Sequence, residues 1–313
     1  MGYGHYSYEA HENLVQSRAH QSRSEVFQQQ QIHPLMNPHG VGLRESRDSA
    51  EHPFSLPIIF ALDVTGSMGT IPELLARSEL PQFMKTLIQA GVRDPQVLFM
   101  FVGDAAHDRG PLQVGQFEST AEDMDRWLTW SWLEGGGGGN QCESYDLALY
   151  FAARHTLTDS LTKRKRRGYF FLTGDENPYP QVARKWVRSL IDDKLSHDIP
   201  LAQICQELAS QYHPFFLIPD PKRRSRCEKA WRDVFGDHVI PMACPEDTCH
   251  VAAALVALGE NPNCHLDQVA ASLSRSGLKR NRVSGIIQAL TPYAATLAQD
   301  SNPLPRFLKA VFR

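Results

Sequence analysis

Three observations on this 313-residue chain predict an α/β fold, a mostly parallel sheet with helices on both faces. Short continuous apolar runs, such as Ile58–Leu62 and Val97–Val102, lack the alternation of a half-exposed strand and read as strands buried on both faces. These runs alternate with longer segments of helical spacing, the pattern of a parallel sheet with crossover helices. Several runs end in Asp, Gly, Ser or Thr, where ligand sites of open α/β sheets lie.

Hydrophobic residues make up 42% of the chain and charged residues 21%, enough for an ordinary core. A net charge of -3 does not favour general nucleic-acid binding. No stretch has the apolar length of a membrane helix, and the amino end lacks a basic region followed by an apolar one. The expectation is a cytoplasmic protein without membrane contact. Six cysteines occur with no Cys-x-x-Cys pair, and read most simply as reduced thiols.

Residues 1–54 form a polar arm rich in Gln, Ser, Arg and His, with a helix possible across Glu9–Gln31. The charged run Arg44–Asp48 could salt-bridge to the domain but reads first as solvated. Ile58–Leu62 then runs into Asp63-Val64-Thr65-Gly66-Ser67-Met68-Gly69. Asp63, Thr65 and Ser67 alternate, and the glycines let the backbone fold so that three oxygens converge. Such an oxygen set suits a hard divalent cation such as Mg²⁺.

Ile71–Gly91 reads as a helix that Pro81 should kink or split. Val97–Val102 is the second strand and Leu112–Phe117 an alternating edge strand. Thr120–Glu134 reads as a helix whose tryptophans pack inward. Five glycines, Gly135–Gly139, precede a helix over Glu143–Thr156, without the Gly-Lys-Ser/Thr of a nucleotide loop. The basic run Lys163–Arg167 reads as a solvated guard before the apolar strand Tyr169–Thr173, which ends in Gly174-Asp175-Glu176. Helices at 182–195 and 201–211, a strand at Phe215–Ile218, a helix at Arg223–Phe235, a strand at His238–Met242 and a helix at Pro245–Leu258 follow. The domain thus spans 55–258, and 259–313 is a helical appendage with helices at Leu266–Ser274 and Lys279–Leu290.

Asp63-Val64-Thr65-Gly66-Ser67 resembles the Asp-x-Ser-x-Ser signature of the von Willebrand factor A (vWA) domain family, with Thr65 at a Ser position. The succession of strands and helices through about residue 258 resembles that family too, in particular its intracellular bacterial members. The resemblance implies a doubly wound, Rossmann-like six-stranded sheet in the order 3-2-1-4-5-6, with strand 3 antiparallel at the edge. It also implies a metal-ion-dependent adhesion site drawn from three loops. Asp63, Thr65 and Ser67 match the first loop, and Asp175 matches the third. The second loop departs from the family: its usual Thr is replaced by Glu143, with Ser144 beside it, and either could be the ligand.

The implied function is binding of a protein partner through Mg²⁺ (or Mn²⁺ or Ca²⁺), whose open coordination place takes an acidic side chain of the partner. Intracellular vWA proteins of bacteria often act as adaptors or assembly factors beside MoxR-type AAA+ ATPases, and the resemblance implies such a partner. No Gly-x-Ser-x-Gly elbow or His-Glu-x-x-His motif occurs, and His107 is the one candidate base nearby, so no enzyme activity is expected. The alternative is a DNA-binding regulator using a helix-turn-helix-like segment at 266–290 together with the 163–167 run.

Overall fold

The computed structural model describes residues 4–66, 68, 70–136 and 141–299. Among them, six strands form one main sheet: β1 (Ser55–Asp63), β2 (Asp94–Val102), β3 (Leu112–Val114), β4 (Gly168–Thr173), β5 (Tyr212–Ile218) and β6 (Val239–Pro241). The spatial order is β6-β5-β4-β1-β2-β3, parallel throughout except for β3, which runs antiparallel to β2 at the edge. This is the doubly wound order that the resemblance implies. β1 is central, with Asp63 level with Val102 of β2 and Leu62 level with Thr173 of β4. The chain leaves these neighbouring strands at the same pole, where the order reverses and a crevice forms.

Every residue of β1 is buried, which explains its unbroken apolar run. Successive side chains go to opposite faces. One face carries Phe99, Phe60, Phe171 and Phe215, whose rings meet in sequence across four strands at centroid distances of 6.0, 5.3 and 5.5 Å. The helices Leu80–Gln89 and Thr248–Glu260 cover this face. Ile59, Ala61, Met100, Leu172 and Phe216 face the other way, toward the helices Tyr145–Arg154, Leu201–Ala209 and Arg224–Phe235. Trp231 stacks on Phe216 there at 4.0 Å.

Several helices depart from their expected bounds. Residues 70–89 form one helical segment, but 75–79 is a π-helical turn in which the Leu80 N–H reaches the Leu75 carbonyl. Pro81 cannot donate and its ring crowds the carbonyl four residues back, so a widened turn before it absorbs the kink. The arm helix is Tyr8–Ser17, with a separate turn at Arg23–Val26, rather than one helix to residue 31. Thr120 caps a helix that stops at Thr129, short of Glu134. The span 182–195 holds only the helix Arg184–Leu190, because Gln181-Val182 pairs with Ile199-Pro200 instead.

The two charged runs are anchored. Arg44–Ser46 is a strand paired with Thr156–Thr158, Arg47 bridges to Asp159, and Asp48 accepts from Ser55 and pairs with Arg164. The expectation of a solvated 44–48 run is corrected: these charges tie the arm to the start of β1. In the 163–167 run, Lys163 pairs with Asp159, Arg166 with Glu260, and Arg167 donates to the Ala209 carbonyl.

The appendage contains Leu266–Arg275 and Arg280–Gln299, the second longer than expected and carrying Pro292 within it. Tyr293 meets Phe215 and His238, and Arg282 pairs with Asp247, so the appendage docks on the domain. No helix among the described residues is long and apolar enough to cross a membrane. Among the described residues none of the six cysteines is in a disulfide. Gly137–Asn140 and the tail from 300 lie outside the described residues.

Candidate metal centre

Asp63 closes β1 and is fully buried. Its Oδ1 accepts from the Thr65 amide at 2.9 Å and from the Thr65 hydroxyl at 2.6 Å. The Thr65 hydroxyl thus spends its hydrogen on Asp63 and keeps its lone pairs for another group. Asp63 Oδ2 accepts from the Tyr145 hydroxyl at 2.5 Å. Tyr145 opens the helix after the glycine loop, and its ring lies against Gly174, where a Cβ would stand 2.6 Å from the hydroxyl oxygen. Gly174 is therefore needed for space, and Tyr145 locks the first loop to the third. Burial pushes Asp63 up to about 7, with Asp175 adding to the rise, even though three donors favour its charged form.

The first two loops touch through backbone. The Gly66 amide donates to the Gly136 carbonyl at 2.9 Å, and a Cβ on Gly66 would sit 3.2 Å from the Gly135 carbonyl. Ser67 lies outside the described residues. Glu143 does not begin a helix as expected: Cys142-Glu143 is a two-residue strand paired in parallel with Asn177-Pro178. That pairing stitches the second loop to the third and buries Glu143. Burial first, and then Asp63, Asp104, Asp108 and Glu176, push the Glu143 carboxyl up to about 9.

Ser144 points elsewhere. Its amide donates to the Gly103 carbonyl at 3.1 Å and its hydroxyl accepts from the Ala105 amide at 2.8 Å. It fastens the second loop to the turn after β2. In that turn the buried Asp104 accepts from Tyr179 at 3.0 Å and holds Nδ1 of the half-exposed His107. These form the rim of the crevice.

Asp175 follows β4 and is fully buried. Its Oδ2 receives Arg223 Nη1 at 2.5 Å, and the same guanidinium lies 3.3 Å from Glu176. Among the described residues, seven buried side-chain polar atoms lack a hydrogen-bond partner. Five of them, on Glu143, Asp146, Thr173, Asp175 and Glu176, belong to this pole, four being carboxylate oxygens. Unsatisfied buried polar atoms are costly, and their concentration at one pole makes it the candidate site.

The strand order, the Asp-x-Thr motif ending the first strand and the Asp after the fourth now stand together. The chain has a vWA-like fold.

Comparison with family models gives no match, and none of the curated proteins matches. Among solved structures, proximal thread matrix protein 1 from the mussel byssus is 11% identical, with a TM-score of 0.42 over 69% of this chain and 48% of that one. The pilus adhesin SpaC from Lactobacillus rhamnosus GG is 12% identical, with a TM-score of 0.44 over 68% of this chain and 30% of that one. A von Willebrand factor type A protein from Catenulispora acidiphila is 14% identical, with a TM-score of 0.37 over 65% and 42%. The chain spans less than half the length of these structures.

The residues of this vWA-like domain fit a hard cation. Among the described residues no three His, Cys, Asp or Glu side chains converge as a ready cage. The candidate centre mixes types instead: Asp63 and Thr65 from the first loop, Glu143 from the second and Asp175 from the third. All of its donor atoms are oxygen, the set that Mg²⁺ or Ca²⁺ takes, with no nitrogen or sulfur to favour zinc. The orphaned oxygens on Glu143 and Asp175 are left for a cation, since Arg223 holds only the other oxygen of Asp175.

Of the ligands expected from the sequence, Asp63, Thr65, Glu143 and Asp175 lie at this pole; Tyr145 and Arg223, which hold two of them, were not expected. Tyr145 left no signal beyond its place two residues after Glu143. Arg223 did leave one. Lys222-Arg223-Arg224 stands at the start of a helix, where the dipole disfavours cations, so an acidic neighbour was to be expected.

Proposed function

We propose that this chain is a non-catalytic protein-interaction domain that binds an acidic side chain of a partner through a divalent cation, Mg²⁺ in the first instance. The observation that carries the reading is the set of buried carboxylate oxygens without partners on Glu143 and Asp175, beside Asp63 at the carboxyl pole of the sheet. A bound cation would supply the positive charge on which an incoming carboxylate closes the shell. The chain's own residues prepare that place. Asp63 orients the Thr65 hydroxyl so that its lone pairs face away from the hydrogen it has donated. Tyr145 fixes Asp63 from its other oxygen. Glu143 offers a free buried oxygen where Ser144 spends its hydroxyl on Ala105, so Glu143 is the better ligand of the two. As a carboxylate in place of a neutral hydroxyl, it raises the ligand charge and with it the affinity for the cation.

The wider setting belongs to the same proposal: a cytoplasmic adaptor or assembly factor, with a MoxR-type AAA+ ATPase as the partner that the vWA resemblance suggests. His107 with Asp104 has the form of an oriented base, but the reading gives it the role of shaping the rim. The basic groups of the DNA-binding alternative are largely engaged, Arg282 with Asp247 and Lys163, Arg164 and Arg166 with their own acids.

Affinity purification of the tagged chain in Mg²⁺ and in EDTA, beside an Asp63→Ala variant of unchanged circular dichroism, tests this. The expected result is a protein retained by the wild type in Mg²⁺, released by EDTA and absent from the variant. A partner retained equally in all three would contradict the metal-dependent reading.

A further inference from the structure

Arg223 occupies a peculiar place. It caps the start of the Arg224–Phe235 helix, and its guanidinium leaves that helix to meet the fully buried Asp175 at 2.5 Å. A positive charge at a helix amino end works against the dipole, so this placement needs a compensating acid. Glu176 has a second cation, Arg226, at 3.4 Å; Asp175 has no other ion pair among the described residues. The Arg223 side chain is 27% exposed, so it has a route to water that Asp175 lacks. Asp175 Oδ1 stays unpartnered, while Oδ2 is held by Arg223.

We propose that Arg223 is the built-in counter-cation of the metal centre: it neutralises Asp175 when no metal is bound and must yield Asp175 for a divalent cation to bind there. This rests on the reading of the pole as a cation site and adds how that site is regulated. A guanidinium carries one charge spread over a plane, whereas a divalent cation concentrates two, so an anion-rich pocket exchanges the first for the second. Arg223 therefore sets the threshold of metal binding. It holds Asp175 neutralised in the empty pole, and it lowers apparent metal affinity by the cost of its own release. Arg226 remains to neutralise Glu176 after the exchange, and Arg223 has solvent to turn into.

The test is calorimetric titration of Mg²⁺ into metal-free wild type, Arg223→Gln, Arg223→Lys and Asp63→Ala, with thermal melts of each in EDTA and in saturating Mg²⁺. Arg223→Gln is expected to bind Mg²⁺ at least fivefold more tightly than wild type. It should melt lower than wild type in EDTA, and gain more from Mg²⁺. Arg223→Lys, which keeps the charge but loses the fork, should fall between. If Arg223→Gln and Arg223→Lys bind Mg²⁺ as wild type does or more weakly, while Asp63→Ala loses binding, Arg223 is an ordinary structural ion pair and this proposal falls while the metal reading stands. If Arg223→Gln does not fold, Arg223→Lys decides alone by the same criterion. Absence of Mg²⁺ binding in every protein overturns both.

Discussion

The two poles of the sheet treat their acids in opposite ways. Where β1 begins, the acids are answered. Asp159 accepts from the Asp48 amide at 2.9 Å and pairs with Arg47 at 3.0 Å and Lys163 at 2.7 Å. Burial would raise its carboxyl, but Lys163, that amide and Arg47 together hold it down at about 2. Asp48 is likewise held by Arg164 and by the Ser55 hydroxyl at 2.7 Å. Where β1 ends, the acids crowd together. Asp63 is pushed up to about 7 and Glu143 to about 9, and oxygens of Glu143, Asp146, Asp175 and Glu176 have no partner among the described residues. Both poles carry buried acids, Asp159 at the first and Asp63, Glu143 and Asp175 at the second, so acidity alone does not distinguish structure from site. Satisfaction does. At the first pole Asp159 and Asp48 are paired and anchor the arm; at the second, carboxylate oxygens are left without partners among the described residues, and the proposed divalent cation answers that deficit.

If the comparison holds, substitutions at the two poles should differ in whether Mg²⁺ alters their effect. The largest effect is expected from Asp63→Ala, which removes the group that orients Thr65 and accepts from Tyr145. Mg²⁺ affinity should fall by more than about tenfold, the range that loss of an orienting group produces at metal sites. Calorimetry on a variant with native circular dichroism reads this. Glu143→Thr comes next: exchanging an anionic oxygen for a hydroxyl should weaken Mg²⁺ by roughly tenfold, in line with the dependence of affinity on ligand charge. Ser144→Ala should leave Mg²⁺ affinity unchanged and instead cost about 1 kcal/mol of stability, because the Ala105 amide loses its acceptor. A Ser144→Ala variant that loses metal while Glu143→Thr keeps it would reverse the assignment of the second loop.

Smaller effects belong to the opposite pole. Asp159→Ala should destabilise the fold by about 1–3 kcal/mol, the cost of leaving hydrogen-bonded charges unpaired, and by the same amount with and without Mg²⁺. The pH dependence has a definite sign. The folded carboxyl of Asp159 is held down at about 2, below the 3.8 of an unperturbed aspartate. Its contribution is therefore complete above 3.8 and is lost as pH falls toward 2. Acid titration of wild type and Asp159→Ala by circular dichroism should show their stability difference shrinking across that window. A constant difference would mean that the ion pairs at this pole contribute nothing.

Much of this was legible in the sequence. Fully buried strands have no alternation, so β1, β2, β4 and β5 stood out as apolar runs, and Asp63 and Asp175 were visible as the polar residues ending two of them. The short two-residue pairing of Cys142-Glu143 with Asn177-Pro178 was not, because two residues have no period to read, and so the helix there was started too early. The 44–48 run failed for a related reason. Its partners Asp159 and Arg164 lie more than a hundred residues away, and a charge run looks the same whether it meets water or a distant acid. Tyr145 was hidden because an aromatic residue on a buried helix reads as core, while its hydroxyl does the positioning. The second loop was the part of the site where the family pattern and this chain disagreed, and only the structure separates the free carboxyl oxygen of Glu143 from the engaged hydroxyl of Ser144.

Whether a divalent cation completes the pole at Asp63 is decided by thermal unfolding of the wild type against Mg²⁺ concentration, with Asp63→Ala and Asp159→Ala as comparators. A ligand that binds only the folded state stabilises it by about 2.7 kcal/mol at a hundred times its dissociation constant. The expected melting temperature climbs with Mg²⁺ for wild type and for Asp159→Ala alike, returns to its starting value in EDTA, and stays flat for Asp63→Ala. A wild-type melting temperature indifferent to Mg²⁺, Mn²⁺ and Ca²⁺, or one that rises equally in Asp63→Ala, would contradict a cation site at this pole.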